Sequence, residues 1–364
     1  MQVLCVMSVN VALHFPDEKK VVPENLRGQK LIADEIKIEE INYHELEVEI
    51  QFGGEIYSFH RLRPFVEIEG SSVNVAAILK KLGKSPVIFA PIGNDDFGRK
   101  IQERLQAEAI DFIPYRHCGK SAVTAAISDD EGLTTLFCVK PAVEIETERV
   151  LHGLREKKLK PLYVAATSVR PGQLAVVSAI LDEFPRAFKA FIPHHELLLG
   201  QNQSPTADFL GVVERADILQ VNEREANLLH RGAGKDHETF LSSDLEEMLS
   251  RFNGIKPSVV IVTLGDKGAA TVAFRNGDYE IYSHRPHYVE KVVDTTGSGD
   301  CFLAAFIYAQ AQGIGHESSV DFASWVAAKN CLGKGGHFAE VDRHSVQGFP
   351  WRQPTKSSSE PCLA

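Results

Sequence analysis

The densest chemistry in the 364-residue chain lies in seven residues, Asp294-Thr295-Thr296-Gly297-Ser298-Gly299-Asp300, followed at once by the apolar run CFLAAFIYA. Two glycines flanking a small residue let backbone N–H groups converge, and a helix starting there adds the positive end of its dipole. The amides of Gly297, Ser298 and Gly299 would thus form an anion hole. Asp300 falls in the first turn, beside whatever approaches the anion. A carboxylate so placed can accept the proton of an attacking hydroxyl, which phosphoryl transfer to an alcohol requires. A glycine-rich turn capped by acids is the plain alternative and would account for Gly-Ser-Gly alone. The whole pattern ahead of a helix favours the chemistry.

The elements that must position these residues read as follows. Residues 2–13 (QVLCVMSVNVAL) predict a first, buried strand. Residues 29–68 alternate apolar and charged side chains around a Gly53-Gly54 turn, the period-2 signature of strands with one wet face. From residue 71 helix and strand alternate. A helix over 71–82 carries Val75, Ile78, Leu79 and Leu82 on one face and stops at Gly83. The strand PVIFAPI leads to Asn94-Asp95, a helix-capping signal. Two strands flank residues 129–132, and a long helix is expected around 242–253. Strands alternating with helices of 10–15 residues imply a parallel sheet. The fold class predicted is α/β, a parallel-rich sheet sandwiched between helices. A small β-sheet lid over 14–68, with a contribution from 121–139, joins a main domain of 1–13 and 69–345. The Ser- and Pro-containing tail 346–364 reads as flexible.

Composition excludes several classes. Lys+Arg of 39 against Asp+Glu of 49 leaves a net charge of −10, which argues against nucleic-acid or anionic-membrane partners. No run of 18 apolar residues marks a membrane span. The six cysteines form no CxxC pair and several sit in apolar runs, as reduced thiols of a cytoplasmic protein do. No metal is assigned to the adjacent His194-His195. Gly83-Lys84-Ser85 and Gly119-Lys120-Ser121 lack the earlier glycine of a P-loop, and no GxGxxG occurs. His60-Arg61-x-Arg63 reads as a solvated charged face.

The heptapeptide resembles the DTxGAGD signature of ribokinase-like (phosphofructokinase B-type) carbohydrate and nucleoside kinases, with Ser298 in place of the usual Ala. Four further segments fall in the family's order. Residues 69–76 (EGSSVNVA) resemble its N-terminal GGxxxNvA motif and residues 92–98 (IGNDDFG) its GxDxxG stretch. Asn222-Glu223-Arg224-Glu225 matches NxxE, and residues 263–269 (TLGDKGA) match TLGxxG. The resemblance spans residues 1 to about 345 and implies roles. Asp300 would be the catalytic base, and the amides of Gly297, Ser298 and Gly299 would stabilise the transferring group. Asn222 and Glu225 would organise Mg²⁺ near the phosphates of ATP. Thr263, Gly265 and Gly268 would line the nucleotide site. Asp294 and Thr296, with backbone near 330–336, would hold a monovalent cation such as K⁺. Asn10, Gly70 and Asn74 would face the substrate.

Two departures stand out. Glu69 replaces the first of two family glycines, and Ala12 replaces the Asp of an N-x-D that grips substrate hydroxyls, so the polyol clamp is incomplete. The expectation is an ATP-dependent kinase acting on a hydroxyl of a small sugar, sugar acid or nucleoside. A catalytically silent, metabolite-sensing relative is the alternative. Because a small projecting sheet cannot bury its apolar face alone, a homodimer through the lid is also expected, with Ile41 and Val48 in the interface.

Overall fold

The computed structural model describes residues 1–7, 9–15, 26, 30–42, 45–62, 65–117, 119–128, 134–139, 144–200, 204–232, 239–252, 254–255, 257–275 and 278–351. The first strands are β1 (Gln2–Val6), β2 (Asn10–Phe15), β3 (Lys30–Ile32), β4 (Glu35–Asn42), β5 (Glu45–Phe52), β6 (Glu55–Leu62) and β7 (Phe65–Glu69). They are followed by β8 (Ser85–Gly93), β9 (Asp111–His117), β10 (Val123–Ser128), β11 (Thr134–Val139) and β12 (Tyr163–Val169). The last are β13 (Phe188–Pro193), β14 (Ile218–Asn222), β15 (Val259–Thr263), β16 (Ala269–Arg275) and β17 (Asp278–His284). The helices are α1 (Ser71–Lys81), α2 (Asp96–Ala107), α3 (Thr147–Glu156), α4 (Leu174–Glu183) and α5 (Ala207–Arg215), then α6 (Glu223–Arg231), α7 (Asp244–Ser250), α8 (Ser298–Ala311), α9 (His316–Asn330) and α10 (Arg343–Gln347).

Nine strands form the main sheet in the order β17-β16-β15-β14-β13-β12-β1-β8-β9. All neighbours from β9 to β15 are parallel, and β16 and β17 close the far edge as an antiparallel hairpin. In β1, Val3 and Cys5 enter the core shared with α1, α2, α8 and α9, while Leu4 and Val6 enter the core shared with α3 to α7. A strand buried on both faces loses the alternation of a half-wet one, which is why it reads as a continuous apolar run. Burial pushes the Cys5 thiol up to about 12, so it sits there as a neutral small hydrophobe.

The expected first strand over 2–13 is in fact two strands in two sheets. Met7 adopts φ 98 at the break, and the chain leaves the main sheet to enter a five-stranded sheet ordered β3-β11-β10-β2-β7. A third sheet, β4-β5-β6, is antiparallel, with residues 53–54 turning β5 into β6. The two smaller sheets therefore draw on β2 to β7 and on β10 and β11.

The third sheet is not left uncovered. Val48 and Ile50 on one face of β5 are 1% and 0% exposed. The rings of Phe52 and Tyr57 each lie 6.1 Å from Phe137 of β11. Burying each such aliphatic side chain contributes about 1.5–3 kcal/mol. At Val48 this face is packed on the chain's own second sheet, so it needs no second subunit to cover it there. The side chain of Ile41 lies outside the described residues, as do the tail from 352 and the turn around 129–133.

Helix boundaries follow local chemistry. Beyond Leu82, the N–H groups of Gly83 and Lys84 bond back to the carbonyls of Lys80 and Leu79, the closing pattern of a glycine-terminated helix. The helix expected over 242–253 is shorter, at Asp244–Ser250. Its end tightens into turns in which Phe252 N–H bonds Leu249 O and Ile255 N–H bonds Phe252 O.

Candidate active site

Strand order reverses beside β1, since the chain steps from β1 outward to β8 and β9 and then returns to β12 on its other side. Open α/β sheets hold ligands outside the carboxyl ends of strands at such a point. The candidate residues gather at those ends.

Gly297 precedes α8 with φ 71, a left-handed conformation, and a Cβ built on it would lie 2.0 Å from the carbonyl oxygen of Gly336. Both facts demand glycine. The first helical bond runs from Cys301 N–H to Gly297 O at 2.9 Å, so the amides of Gly299 and Asp300 precede the hydrogen-bonded ladder. The Ser298 amide departs from expectation. Its N–H is donated to Thr295 O at 3.2 Å, which closes the turn and removes one of the three amides assigned to the anion hole.

Asp300 is half-buried in the first turn of α8. Asn74 Nδ2 donates to its Oδ2 at 2.8 Å. Asn74 is itself buried, and its Oδ1 lies 3.3 Å from His337 Nδ1. A Cβ on Gly336 would stand 2.5 Å from the Asn74 amide, so the backbone of the 333–336 loop clamps it. Asn74, expected to face substrate, thus spends its amide orienting the carboxylate across α1 and α8.

A staple of polar side chains fixes that loop. Asp294 Oδ1 accepts from Thr296 N–H at 2.9 Å, and its Oδ2 accepts from Gly335 N–H at 3.0 Å. Asn330, fully buried, donates to Thr296 O at 2.8 Å and accepts from Ala339 N–H at 3.1 Å. Glu69 Oε1 accepts from Gly336 N–H at 3.2 Å. Each Asp294 oxygen and the Thr296 carbonyl already accepts one N–H donor, and a monovalent cation here would share those oxygens through their remaining lone pairs.

On the nucleotide side, Asn222 and Thr263 are register partners at the carboxyl ends of β14 and β15. Asn222 caps α6: its Oδ1 accepts from Glu225 N–H and Glu225 Oε2 accepts from Asn222 N–H, both at 2.9 Å. This capping box accounts for the NxxE spacing and fixes a buried carboxylate at a helix N-terminus. Thr263 Oγ1 lies 3.5 Å from Val221 O. Gly265 and Gly268 bracket the turn into β16, and a side chain at Gly268 would strike His284 O. On the acceptor side, Asn10 pairs with Glu69 across β2 and β7, and Gly70 precedes α1. The Asn10 side chain lies outside the described residues.

The sequence reading missed three contributors. Gln220, buried on β14, donates from Nε2 to Gly299 O at 2.8 Å and ties that strand to the loop. A Gln inside the apolar run ADILQV was the available signal, because a buried amide needs a partner. Asn330 and His337 carried no local signal. In the 92–98 stretch, Asp95 accepts from Ser121 Oγ (2.6 Å), Ser121 N (2.7 Å) and Gly98 N (2.8 Å). Burial pushes its carboxyl up, but these hydrogen bonds outweigh it and hold the group below its usual range. It works as a clasp between the start of α2 and residue 121.

Among the described residues, one group of three could hold a metal ion, His194, His195 and Glu196, with ligand atoms within 4.8 Å of one another. Cys5, Cys138, Cys301 and Cys331 are free thiols. Among the described residues, no helix is long and apolar enough to cross a membrane.

Comparison with known proteins agrees with this geometry. A ribokinase of Arabidopsis thaliana is 36% identical over 287 residues, covering 76% of this chain and 70% of the relative. An ATP-dependent 6-phosphofructokinase of Thermoanaerobacterium thermosaccharolyticum is 24% identical over 263 residues, 71% and 77% of the two chains. The solved structure of Arabidopsis thaliana ribokinase complexed with ribose and ATP superposes with a TM-score of 0.65 at 21% identity, covering 95% of this chain and 97% of that one. The ribokinase-like fold is therefore present over nearly the whole molecule. Residues 69–342 match the model of the pfkB family carbohydrate kinases, and the chain belongs to that family of phosphotransferases with an alcohol acceptor.

Proposed function

We propose that the protein transfers the γ-phosphoryl group of ATP to a hydroxyl of a small sugar, sugar acid or nucleoside. The observation that carries this is the Asp300 carboxylate, held by Asn74 at the mouth of a helix whose preceding glycine is locked in the left-handed conformation. In this reading Asp300 accepts the proton of the attacking hydroxyl. The amides of Gly297 and Gly299 and the N-terminal dipole of α8 take up charge on the phosphoryl oxygens. Such stabilisation needs no rearrangement during the reaction, because the turn is fixed by Gly336 and the Asp294 staple.

Thr263, Gly265 and Gly268 border the nucleotide, and Asn222 and Glu225 lie at the phosphate end of that site. A divalent ion such as Mg²⁺ keeps several waters and binds chiefly to phosphates, where it neutralises charge. Glu225, already engaged in the capping box, fits that arrangement as a partner for the ion's waters. Nothing in the reading is routed through a monovalent ion, and it needs no second subunit. Asp300, the glycine turn and the family membership together leave the silent alternative unsupported.

The test is ADP release from ATP over a panel of sugars, sugar acids and nucleosides. Asp300→Asn should lower kcat about 10²–10⁴-fold while nucleotide affinity stays within a few-fold. A variant keeping most of kcat removes Asp300 as the base. A wild-type enzyme that phosphorylates no member of the panel overturns the reading.

A further inference from the structure

At the carboxyl end of β12, one guanidinium nitrogen is buried with no acceptor among the described residues. At the register slip between Thr167 and Val169, Ser168 takes φ 50, a left-handed conformation uncommon outside glycine. Its Oγ lies 3.1 Å from Ser71 Oγ at the start of α1, and Thr167 Oγ1 lies 2.9 Å from Ser72 Oγ. Arg170 follows, its backbone N–H donated to Gln173 Oε1 at 3.1 Å as the chain turns towards α4. The Arg170 side chain is half-buried. Its Nη2 is sealed from solvent and meets no acceptor, and no carboxylate among the described residues forms an ion pair with it.

A guanidinium stays charged at any ordinary pH and accepts no hydrogen bond, so it cannot relieve this by deprotonating. Buried donors left unmet are rare and persist where they serve function. The neighbourhood favours an anion over a cation. His194 N–H bonds Val169 O at 2.9 Å, which brings the His194-His195-Glu196 turn alongside Arg170. Burial lowers the Arg170 pKa, with Glu196 and Cys138 opposing, so the Glu196 charge acts on the guanidinium. A metal ion on those three residues would sit in the field of that fixed positive charge.

We infer that Arg170 anchors an acidic group of the acceptor, with the Ser71 and Ser168 hydroxyls beside it, so that the substrate class is a phosphorylated sugar or a sugar acid. This rests on the transferase reading above and narrows it. The geometry gives the acceptor its length. Ser71 and Asn74 lie one turn apart on α1, about 4.5 Å along the axis, and Asn74 holds Asp300. The acidic group therefore enters at the Ser71 end, and the reacting hydroxyl at the Asn74 end. The site is a local positive point in a chain of net charge −10.

Matched pairs test it: fructose against fructose 6-phosphate, and glucitol against gluconate. The acidic member of one pair should show about a hundredfold higher kcat/KM than its neutral twin, and which pair does so tells phosphate from carboxylate. Arg170→Gln should erase that preference while leaving the neutral twins within about threefold, and Arg170→Lys, which keeps the charge without the fork, should fall between. The melting temperature of Arg170→Gln should be unchanged or higher, whereas a purely structural arginine would lower it. Preference for the neutral twins, or an equal loss on both members in Arg170→Gln, overturns the inference. Calorimetric titration of fructose 6-phosphate and gluconate without nucleotide separates the two readings. Arg170-dependent binding without phosphorylation of any compound upholds the anion site and sinks the transferase. Phosphorylation of neutral acceptors with no binding of either acid does the reverse.

Discussion

In the function proposed here, the wall assigned to the phosphates and the wall assigned to the acceptor are made of different material. Residues 294–300 and 330–339 present backbone amides whose directions are set by Gly297, by the close approach of Gly336 and by a ring of side-chain-to-backbone hydrogen bonds. The acceptor wall presents side chains, namely Asn74, Ser71, Ser168, Arg170 and Glu69, drawn from α1, β12, the turn after it and β7. A backbone-built wall tolerates little change because its shape is the path of the chain. A side-chain wall can be re-targeted one residue at a time, and one departure from the family pattern, Glu69, falls there. The contrast makes substitutions on the two sides differ in kind.

The largest effect expected is at Gly297. Gly297→Ala must abandon φ 71 or push Gly336 away, at a strain of about 1–3 kcal/mol. Activity should fall at least about a hundredfold, with a lower melting temperature. Ser71→Ala on the other wall should leave the melting temperature nearly unchanged and raise only the acceptor KM. If both variants behave alike in stability and kcat, the two-wall contrast fails.

Asn74 bridges the walls and comes next. Asn74→Ala frees the Asp300 carboxylate to rotate, and kcat should drop about 10–100-fold with little change in the ATP KM. Asn74→Asp sharpens the point by setting a like charge beside Asp300, which raises its pKa. The acid limb of the rate profile should then move to higher pH. A pH profile identical to wild type would place Asp300 outside the reaction.

The smallest effect concerns His337. Burial, the leading cause, lowers its pKa below the ordinary 6.5, against the opposing charges of Glu108 and Glu69 and with Lys81 reinforcing it. The folded protein therefore prefers neutral imidazole. The associated stability is present above pH 6.5 and is lost as pH falls from there through the lowered folded value. Melting temperatures from pH 7.5 down to 5 should decline, and His337→Gln should flatten part of that decline. An unchanged slope in the variant would assign the acid sensitivity to other groups.

Much of the scaffold is legible in the sequence where local chemistry decides it. The stop at Gly83, the capping by Asp95 and the alternating strands of the lid follow from side-chain spacing and turn residues. The split of the first strand at Met7 is not legible, because 2–13 has a strand's composition throughout and only the partner sheets differ. Nor is the cover over Val48 and Ile50. Alternation shows that a face is apolar without showing what packs on it, and the partner, Phe137, lies in a distant strand.

The same division runs through the site. The order Asp294 to Asp300 by itself determined a glycine-rich turn, a helix start and a carboxylate in its first turn, since each is fixed by the conformational limits of a few consecutive residues. Only the tertiary structure decided that Asn74 holds Asp300 across 226 residues, that Glu69 takes Gly336 N–H across 267, and that Arg170 Nη2 is buried with no acceptor among the described residues. Hydrogen bonds of that span form only when the whole sheet has closed, so no local preference in the chain records them.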